Sequence, residues 1–288
     1  MNFKTVLSRG RAQLGAVVAA AGLAAALTGC SSSGSVHAAA QSSSSSVTTA
    51  SVSTTGAKPT VVLVHGAFTD ASEWDGVIKQ LEAAGYPVVA PPNPLRDVTS
   101  DSAYLRSFLK TIKGPVILAG HSIGGMITTQ AAADDPQVKA LVYIAALVPD
   151  VGETAMQLVG KYPGATLNNA LMPVPVSGGM DLYVQPSKFR DVYAADVPTS
   201  VTDVMAAAQR PVSAAMFGEK TTVAAWKTIP TWDLITTQDQ AATLKVQQFM
   251  AARAHAHTMT VDASHAVAVS HPDKVASIIE QAAAATVH

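Results

Sequence analysis

The sequence predicts an α/β fold with a mostly parallel central sheet flanked by helices. Three observations carry that prediction. Residues 60–64, 116–119 and 140–147 form short, almost wholly apolar runs, as strands covered on both faces do. Stretches with helical spacing separate these runs. Between one such run and a helical stretch stands Gly120-His121-Ser122-Ile123-Gly124. This is the pattern of a sharp strand-to-helix turn, whose glycines fit where no Cβ can.

The elements follow in chain order. Residues 60–64 read as a buried strand. Residues 73–84 place Trp74, Val77, Ile78 and Leu81 at helical spacing, and residues 87–90 form the next strand. Tyr104, Leu105, Phe108, Leu109 and Ile112 share one helix face. Residues 116–119 lead into the turn, a helix-like run follows over 126–133, and 140–147 is another continuous strand. At Pro149-Asp150 the rhythm breaks. An insert of about 150–228, rich in Pro, Gly and Met with short helical pieces such as 201–208, is expected to form a helical cap after the strand ending near residue 147, because a structureless loop of that size is rare inside a domain. The alternation resumes with a strand over 229–235, a helix over 241–252, a last strand over 258–261 and a closing helix over 272–284.

The chain has 288 residues, 48% of them hydrophobic and 14% charged, so it can bury a sizeable core. A net charge of −1 argues against nucleic acid as a partner, since phosphate binding needs a basic face. Residues 1–29 read as a signal peptide. Lys4, Arg9 and Arg11 open it, and the apolar stretch 12–26 is too short and too rich in Ala and Gly for a membrane span. Leu27-Thr28-Gly29-Cys30 resembles a bacterial lipoprotein lipobox, in which the cysteine is lipidated and becomes the new N-terminus. The competing reading is an ordinary secretory signal with a chance cysteine, yet Cys30 is the sole cysteine and stands where the motif needs it. Cleavage there takes the net charge from −1 to −4 by removing Lys4, Arg9 and Arg11. The resemblance implies several acyl chains, enough for stable anchoring. It also implies an exported lipoprotein, periplasm-facing or on the cell surface; Ser31 after the cysteine leans toward the outer membrane of a Gram-negative bacterium. A single cysteine precludes an internal disulfide, which a domain this large does not need. Residues 30–57, dominated by Ser, Thr and Ala and without Asp, Glu, Lys or Arg, read as a flexible tether, leaving 58–288 as the folded domain.

A serine hydroxyl is a poor nucleophile until a base takes its proton and a third group orients that base. With Ser122 on the turn, His265 in Asp262-Ala263-Ser264-His265-Ala266 is the candidate base, because the loop after the last strand lies at the same sheet edge. His271 precedes Pro272 at a helix start, His255 and His257 precede the last strand, His121 points away from the nucleophile, and His65 ends the first strand. Asp239 follows the strand ending near Ile235 and gives the order Ser, Asp, His; it can equally cap the following helix. Asp150, after the preceding strand, is the alternative acid. The oxyanion of acyl transfer needs two N–H donors, for which the backbone amides of Ile123 and Ala67 are placed.

Val62-Leu63-Val64-His65-Gly66-Ala67-Phe68, Gly120-His121-Ser122-Ile123-Gly124-Gly125 and Asp262-Ala263-Ser264-His265 together resemble the α/β-hydrolase superfamily over roughly residues 58–286. Leu81-Glu82-Ala83-Ala84-Gly85-Tyr86 and Leu147-Val148-Pro149-Asp150-Val151-Gly152-Glu153 are similar to its branch of plant methyl-ester esterases, hydroxynitrile lyases and bacterial esterases. The resemblance implies a cofactor-free serine hydrolase with Ser122 as nucleophile, His265 as base, Asp239 as acid and Ala67 and Ile123 at the oxyanion hole. The plant lyases resemble one another in a lysine directly after the catalytic histidine, where this chain has Ala266.

The expected substrate is a small to medium carboxylic ester. Lyase, lactonase, amidase or perhydrolase chemistry at the same site is the alternative, and a ligand-binding protein without catalysis a third. His255-x-His257 lacks a third ligand at metal-binding spacing, and no phosphate-cradling glycine motif is present. Met156, Met172, Met180, Met205 and Met216 fall in the insert, either as an adaptable pocket wall or as cap core. Oligomeric state is not legible.

Overall fold

The computed structural model describes residues 58–287. The signal peptide at 1–29, Cys30 and the tether at 30–57 lie outside the described residues. Six strands, β1 (Thr60–Val64), β2 (Val88–Val89), β3 (Val116–His121), β4 (Val138–Ile144), β8 (Thr231–Thr236) and β9 (His257–Val261), form one sheet in the order β2-β1-β3-β4-β8-β9. Every pairing in it is parallel. Alternate residues along each strand enter two different cores. Val61, Leu63, Ile117, Ala119, Ala140 and Val142 meet α1 (Asp75–Ala83), α8 (Val267–Ser270) and α9 (Pro272–Thr286) on one face. Val62, Val64, Leu118, Leu141 and Tyr143 meet α2 (Val98–Leu109), α3 (Gly124–Ala131) and α7 (Leu244–Arg253) on the other. This double burial is why the strands read as unbroken apolar runs rather than as alternation.

Two expectations are corrected. The strand expected to end near residue 147 stops at Ile144, because Ala145 turns into a positive φ of 45°. The cap is not purely helical. Between β4 and β8 stand α4 (Ala155–Val159), α5 (Pro186–Tyr193) and α6 (Thr199–Ala208), together with an antiparallel sheet of β5 (Leu171–Val176), β6 (Gly179–Val184) and β7 (Val212–Ser213). Ser177-Gly178, with Gly178 at φ 85°, closes a two-residue hairpin between Val176 and Gly179. Pro173 and Pro175 are tolerated because β5 is an edge strand, where same-side N–H groups have no ladder partner. The cap shares the core on the α2, α3 and α7 side through Phe189, Tyr193, Val212 and Met216.

Candidate active site

Ser122 sits between β3 and α3 with φ 54°, a left-handed conformation that costs an L-residue about 1–2 kcal/mol. Its surroundings hold it there. The Ser122 N–H donates to the Ile144 carbonyl at 3.2 Å, and the Ser122 carbonyl accepts from Leu147 and Gly125 N–H at 3.0 Å each. The flanking glycines are forced by crowding: a Cβ on Gly120 would lie 2.7 Å from the Gly124 carbonyl oxygen, and one on Gly124 would lie 2.6 Å from that of Val64.

The structure brings Ser122, His265 and Asp239 into one hydrogen-bonded series. Ser122 Oγ lies 2.9 Å from His265 Nε2, and His265 Nδ1 lies 2.7 Å from Asp239 Oδ2. His265 reaches this place on the loop between β9 and α8, where the Ala266 N–H donates to the Tyr193 carbonyl at 3.0 Å. Asp239 is buried and held by four further donors. Its Oδ1 accepts from the Ala241 and Ala242 amides at 2.7 and 2.8 Å, and its Oδ2 from Thr236 Oγ1 and Gln247 Nε2 at 3.0 and 3.2 Å. Asp239 does not cap the following helix, as the sequence also allowed: α7 begins only at Leu244 behind Thr243, and the Asp239 carboxylate instead holds the turn at Ala241 and Ala242 while it faces His265. Asp150 is elsewhere: Lys227 Nζ lies 2.5 Å from its Oδ1, and that contact holds its carboxyl below the usual range.

The N–H groups of Ala67 and Ile123 make no hydrogen bond among the described residues, and both residues line the cavity over Ser122. The loop bearing Ala67 is fixed from three sides. His65 Nε2 accepts from the Asn93 N–H at 2.9 Å, so its Nδ1–H donates to the Gly66 carbonyl, also at 2.9 Å. Burial, which lowers the His65 pKa, suits this neutral ring. Tyr193 Oη donates to the Ala67 carbonyl at 3.0 Å. Burial, with Glu73 and Asp239 nearby, raises the phenol well above its ordinary value, so it stays a donor.

His255 and His257 lie at the start of β9, at the sheet edge opposite Ser122, where the His257 ring stacks on Trp232 at 4.9 Å. His271 precedes α9 and faces Asp196 at 3.6 Å. Among the described residues no cluster of three or more side chains is arranged to hold a metal ion, and no helix is long and apolar enough to cross a membrane.

The cavity over Ser122, about 40 Å³, is lined by apolar groups including Phe68, Leu147, Val159 and Leu167. Val159, Asn168 and Phe217 also wall a second cavity of about 320 Å³ that lies within the cap, among Met156, Leu171, Leu182 and Ala214. The insert's methionines thus divide: Met216 is fully buried core, whereas Met156 is exposed and lines the outer cavity.

Sequence reasoning missed a buried pair behind this site. Glu73 and His121 meet with Oε2 and Nδ1 3.0 Å apart, and their side chains are 3% and 0% exposed. Glu73 reads in the sequence only as the polar start of a helix, and nothing there pairs it with His121.

A parallel α/β sheet bearing a strained serine at a strand end, a histidine and carboxylate in hydrogen-bonded series, and a cap over an apolar cavity defines a class of proteins suited to attack on a carbonyl. The sequence assigns the family: residues 61–278 match the model of the alpha/beta hydrolase family, and the chain belongs to it. A probable hydrolase R7 of Phoma sp. is 24% identical over 247 residues, covering 78% of this chain and 98% of that protein. A carbendazim hydrolyzing esterase of Nocardioides sp. is 31% identical over 113 residues, 35% of this chain and 47% of that protein. The crystal structure of a pyrethroid hydrolase from Sphingobium faniae superposes with a TM-score of 0.67 at 25% identity, over 79% of this chain and 98% of that one.

Proposed function

We propose that this chain is a serine hydrolase that cleaves a carboxylic ester through an acyl-enzyme, with Ser122 as nucleophile, His265 as general base and Asp239 as its orienting acid. The observation that carries the reading is the unbroken series from Ser122 Oγ through the His265 ring to Asp239. His265 Nε2 accepts the Ser122 proton as Oγ bonds to the ester carbonyl carbon. Asp239 fixes the tautomer by accepting the Nδ1–H and stabilises the imidazolium that forms. Negative charge on the carbonyl oxygen meets the free amides of Ala67 and Ile123. As the tetrahedral intermediate collapses, His265 returns the proton to the departing alcohol. Water, deprotonated by the same nitrogen, then attacks the acyl carbon and releases the acid and Ser122.

The cavities support an apolar ester, with its smaller group beside Ser122 and its larger group past Phe217 into the outer space. The named activities of the carbendazim esterase and the pyrethroid hydrolase favour ester cleavage. Ala266 at the position of the lyase lysine, and a lining over Ser122 without lysine, favour it over cyanide chemistry. A panel of p-nitrophenyl esters tests the reading: wild type turns over, Ser122→Ala does not, and equal rates from the two would refute it.

The same proposal has the chain exported and tethered by a lipid at Cys30, on the strength of the Leu27-Thr28-Gly29-Cys30 motif. Labelled palmitate should enter the wild type and not Cys30→Ser; equal incorporation would refute the anchor.

A further inference from the structure

We propose that Glu73 and His121 form a positioning pair that locks together the three loops carrying the oxyanion donors, the nucleophile and the base. The inference rests on the serine-hydrolase reading above and goes beyond it, since neither side chain touches the reacting atoms in that scheme.

Each of the three loops is held by a contact of the pair. Glu73 stands on the short 3₁₀ helix Ala71–Trp74, and its Oε1 accepts from the Gly66 N–H at 3.3 Å, directly before the oxyanion residue Ala67. Its carboxylate also meets His121 Nδ1, at 3.2 Å through Oε1 and 3.0 Å through Oε2. His121 is the residue before Ser122 and ends β3. On its other side, His121 Nε2 lies 3.0 Å from the backbone carbonyl of His265. The His121 and His265 rings lie 4.7 Å apart. A contact chain thus runs from Gly66 through Glu73 and His121 to His265, joining segments that are distant in sequence but adjacent at the sheet edge.

The chemistry of the acceptors fixes the protons. A backbone carbonyl only accepts, so His121 Nε2 carries a hydrogen. Nδ1 faces a carboxylic group, and one proton must lie between them, on the ring or on Glu73. Either placement leaves the pair net neutral, which is how two buried ionisable groups coexist. Burial alone lowers the His121 pKa, but the Glu73 charge and the hydrogen bonds to Glu73 and the His265 carbonyl outweigh it and raise it. In either placement Nε2–H donates to the His265 carbonyl and a single hydrogen joins Nδ1 to Glu73. The ring then cannot flip or change tautomer without losing a buried bond, and the His265 backbone is pinned with it.

Substitutions at Glu73 separate positioning from charge. Glu73→Gln would keep every contact: the new side-chain oxygen accepts from Gly66, and its amide donates to an unprotonated Nδ1 while Nε2–H stays on the His265 carbonyl. Alanine frees the Gly66 amide and leaves Nδ1 unpartnered. Small misplacements of reacting groups cost up to about a hundredfold in rate. Glu73→Ala is therefore expected to lower kcat for p-nitrophenyl acetate by about ten- to a hundredfold with KM nearly unchanged, and Glu73→Gln to restore kcat to within about threefold of wild type. Thermal melts establish that each variant is folded. If the alanine variant does not fold, Glu73→Asp, which withdraws the carboxylate by one methylene, takes its place with the same expected loss. A folded Glu73→Ala with wild-type kcat, a loss confined to KM, or a glutamine variant as impaired as the alanine one would overturn the proposal. If Ser122→Ala is as active as wild type, the hydrolase reading itself fails, an outcome distinct from these.

Discussion

Replacing Asp239 by Asn should leave the site in shape and remove its base. The carboxylate divides its work: Oδ1 accepts from two backbone amides at 2.7 and 2.8 Å, and Oδ2 accepts from His265 Nδ1, Thr236 Oγ1 and Gln247 Nε2. An asparagine has one acceptor and one donor end. Turning its NH₂ toward the two amides would leave two buried N–H groups unpaired, at about 1–3 kcal/mol each. Turning its oxygen toward them faces NH₂ with Thr236, whose hydroxyl can rotate to accept, and with the Gln247 amide, which loses one of its several partners. The second orientation wins, so the asparagine donates to His265 Nδ1. The imidazole then carries its proton on Nε2 and donates to Ser122 Oγ instead of accepting from it. The equivalent tautomer error in a serine protease costs about ten-thousandfold in kcat, or about 5 kcal/mol of barrier. Initial rates on a p-nitrophenyl ester, with Ser122→Ala as the background and thermal melts as the control for folding, measure it. Asp150→Asn, which disturbs a contact with Lys227 away from His265, should stay within about twofold of wild type. A folded Asp239→Asn retaining more than about a tenth of wild-type kcat would refute the assignment.

Three other outcomes follow from the same contacts. Ser122→Gly should be inactive yet more stable by about 0.5–1 kcal/mol, since glycine adopts φ 54° without the Cβ penalty, offset in part by its looser unfolded chain; denaturant melts check this, and a lower midpoint would count against strain at the turn. Ala214→Trp should fill the outer cavity and lower kcat/KM for an octanoate ester about tenfold or more relative to acetate, since each buried methylene contributes about 0.8 kcal/mol; an unchanged chain-length profile would remove the outer cavity from substrate binding. Burial lifts the Asp101 carboxyl to about 6, above its unfolded value, so the folded state holds an extra proton between about pH 4 and 6 and loses stability as pH rises through that window. Asp101→Asn should remove about 1–2 kcal/mol of that fall, discounted for partial solvent screening, as read from urea midpoints at pH 4 and 7; an unchanged slope would show that another group sets it.

The central sheet was legible because burial on both faces leaves a strong local mark. Residues 60–64 coincide with β1, and 116–119 and 258–261 fall inside β3 and β9. The helix boundaries shifted for local reasons. Asp97 opens α2 with its side chain on the Ser100 N–H, well before the first apolar residues of the expected face. The insert was not legible as a sheet, because β5 carries two prolines and β6 opens on Gly179 and is interrupted by Asp181, so neither yields an apolar run. The one local signal was Ser177-Gly178 between extended segments, a hairpin turn that the Pro- and Met-rich composition obscured.

At the site, legibility followed the backbone. Ser122, His265, Asp239, Ala67 and Ile123 all stand in loops at the C-terminal ends of strands, and the parallel sheet brings those ends together whatever the intervening sequence. A strand order alone therefore predicts that they converge. Glu73 and His121 obey no such rule. Their meeting depends on a 3₁₀ turn after β1 reaching across to the end of β3, a three-dimensional fact with no spacing to announce it. The same holds for Tyr193, which comes from the cap to bind the Ala67 carbonyl. Residues that would touch substrate are placed by topology, whereas those that steady them are placed by side-chain reach. Mutations of the second kind should accordingly act through kcat at a distance from the ester, and the Glu73 variants are the direct measure of how far that reach extends.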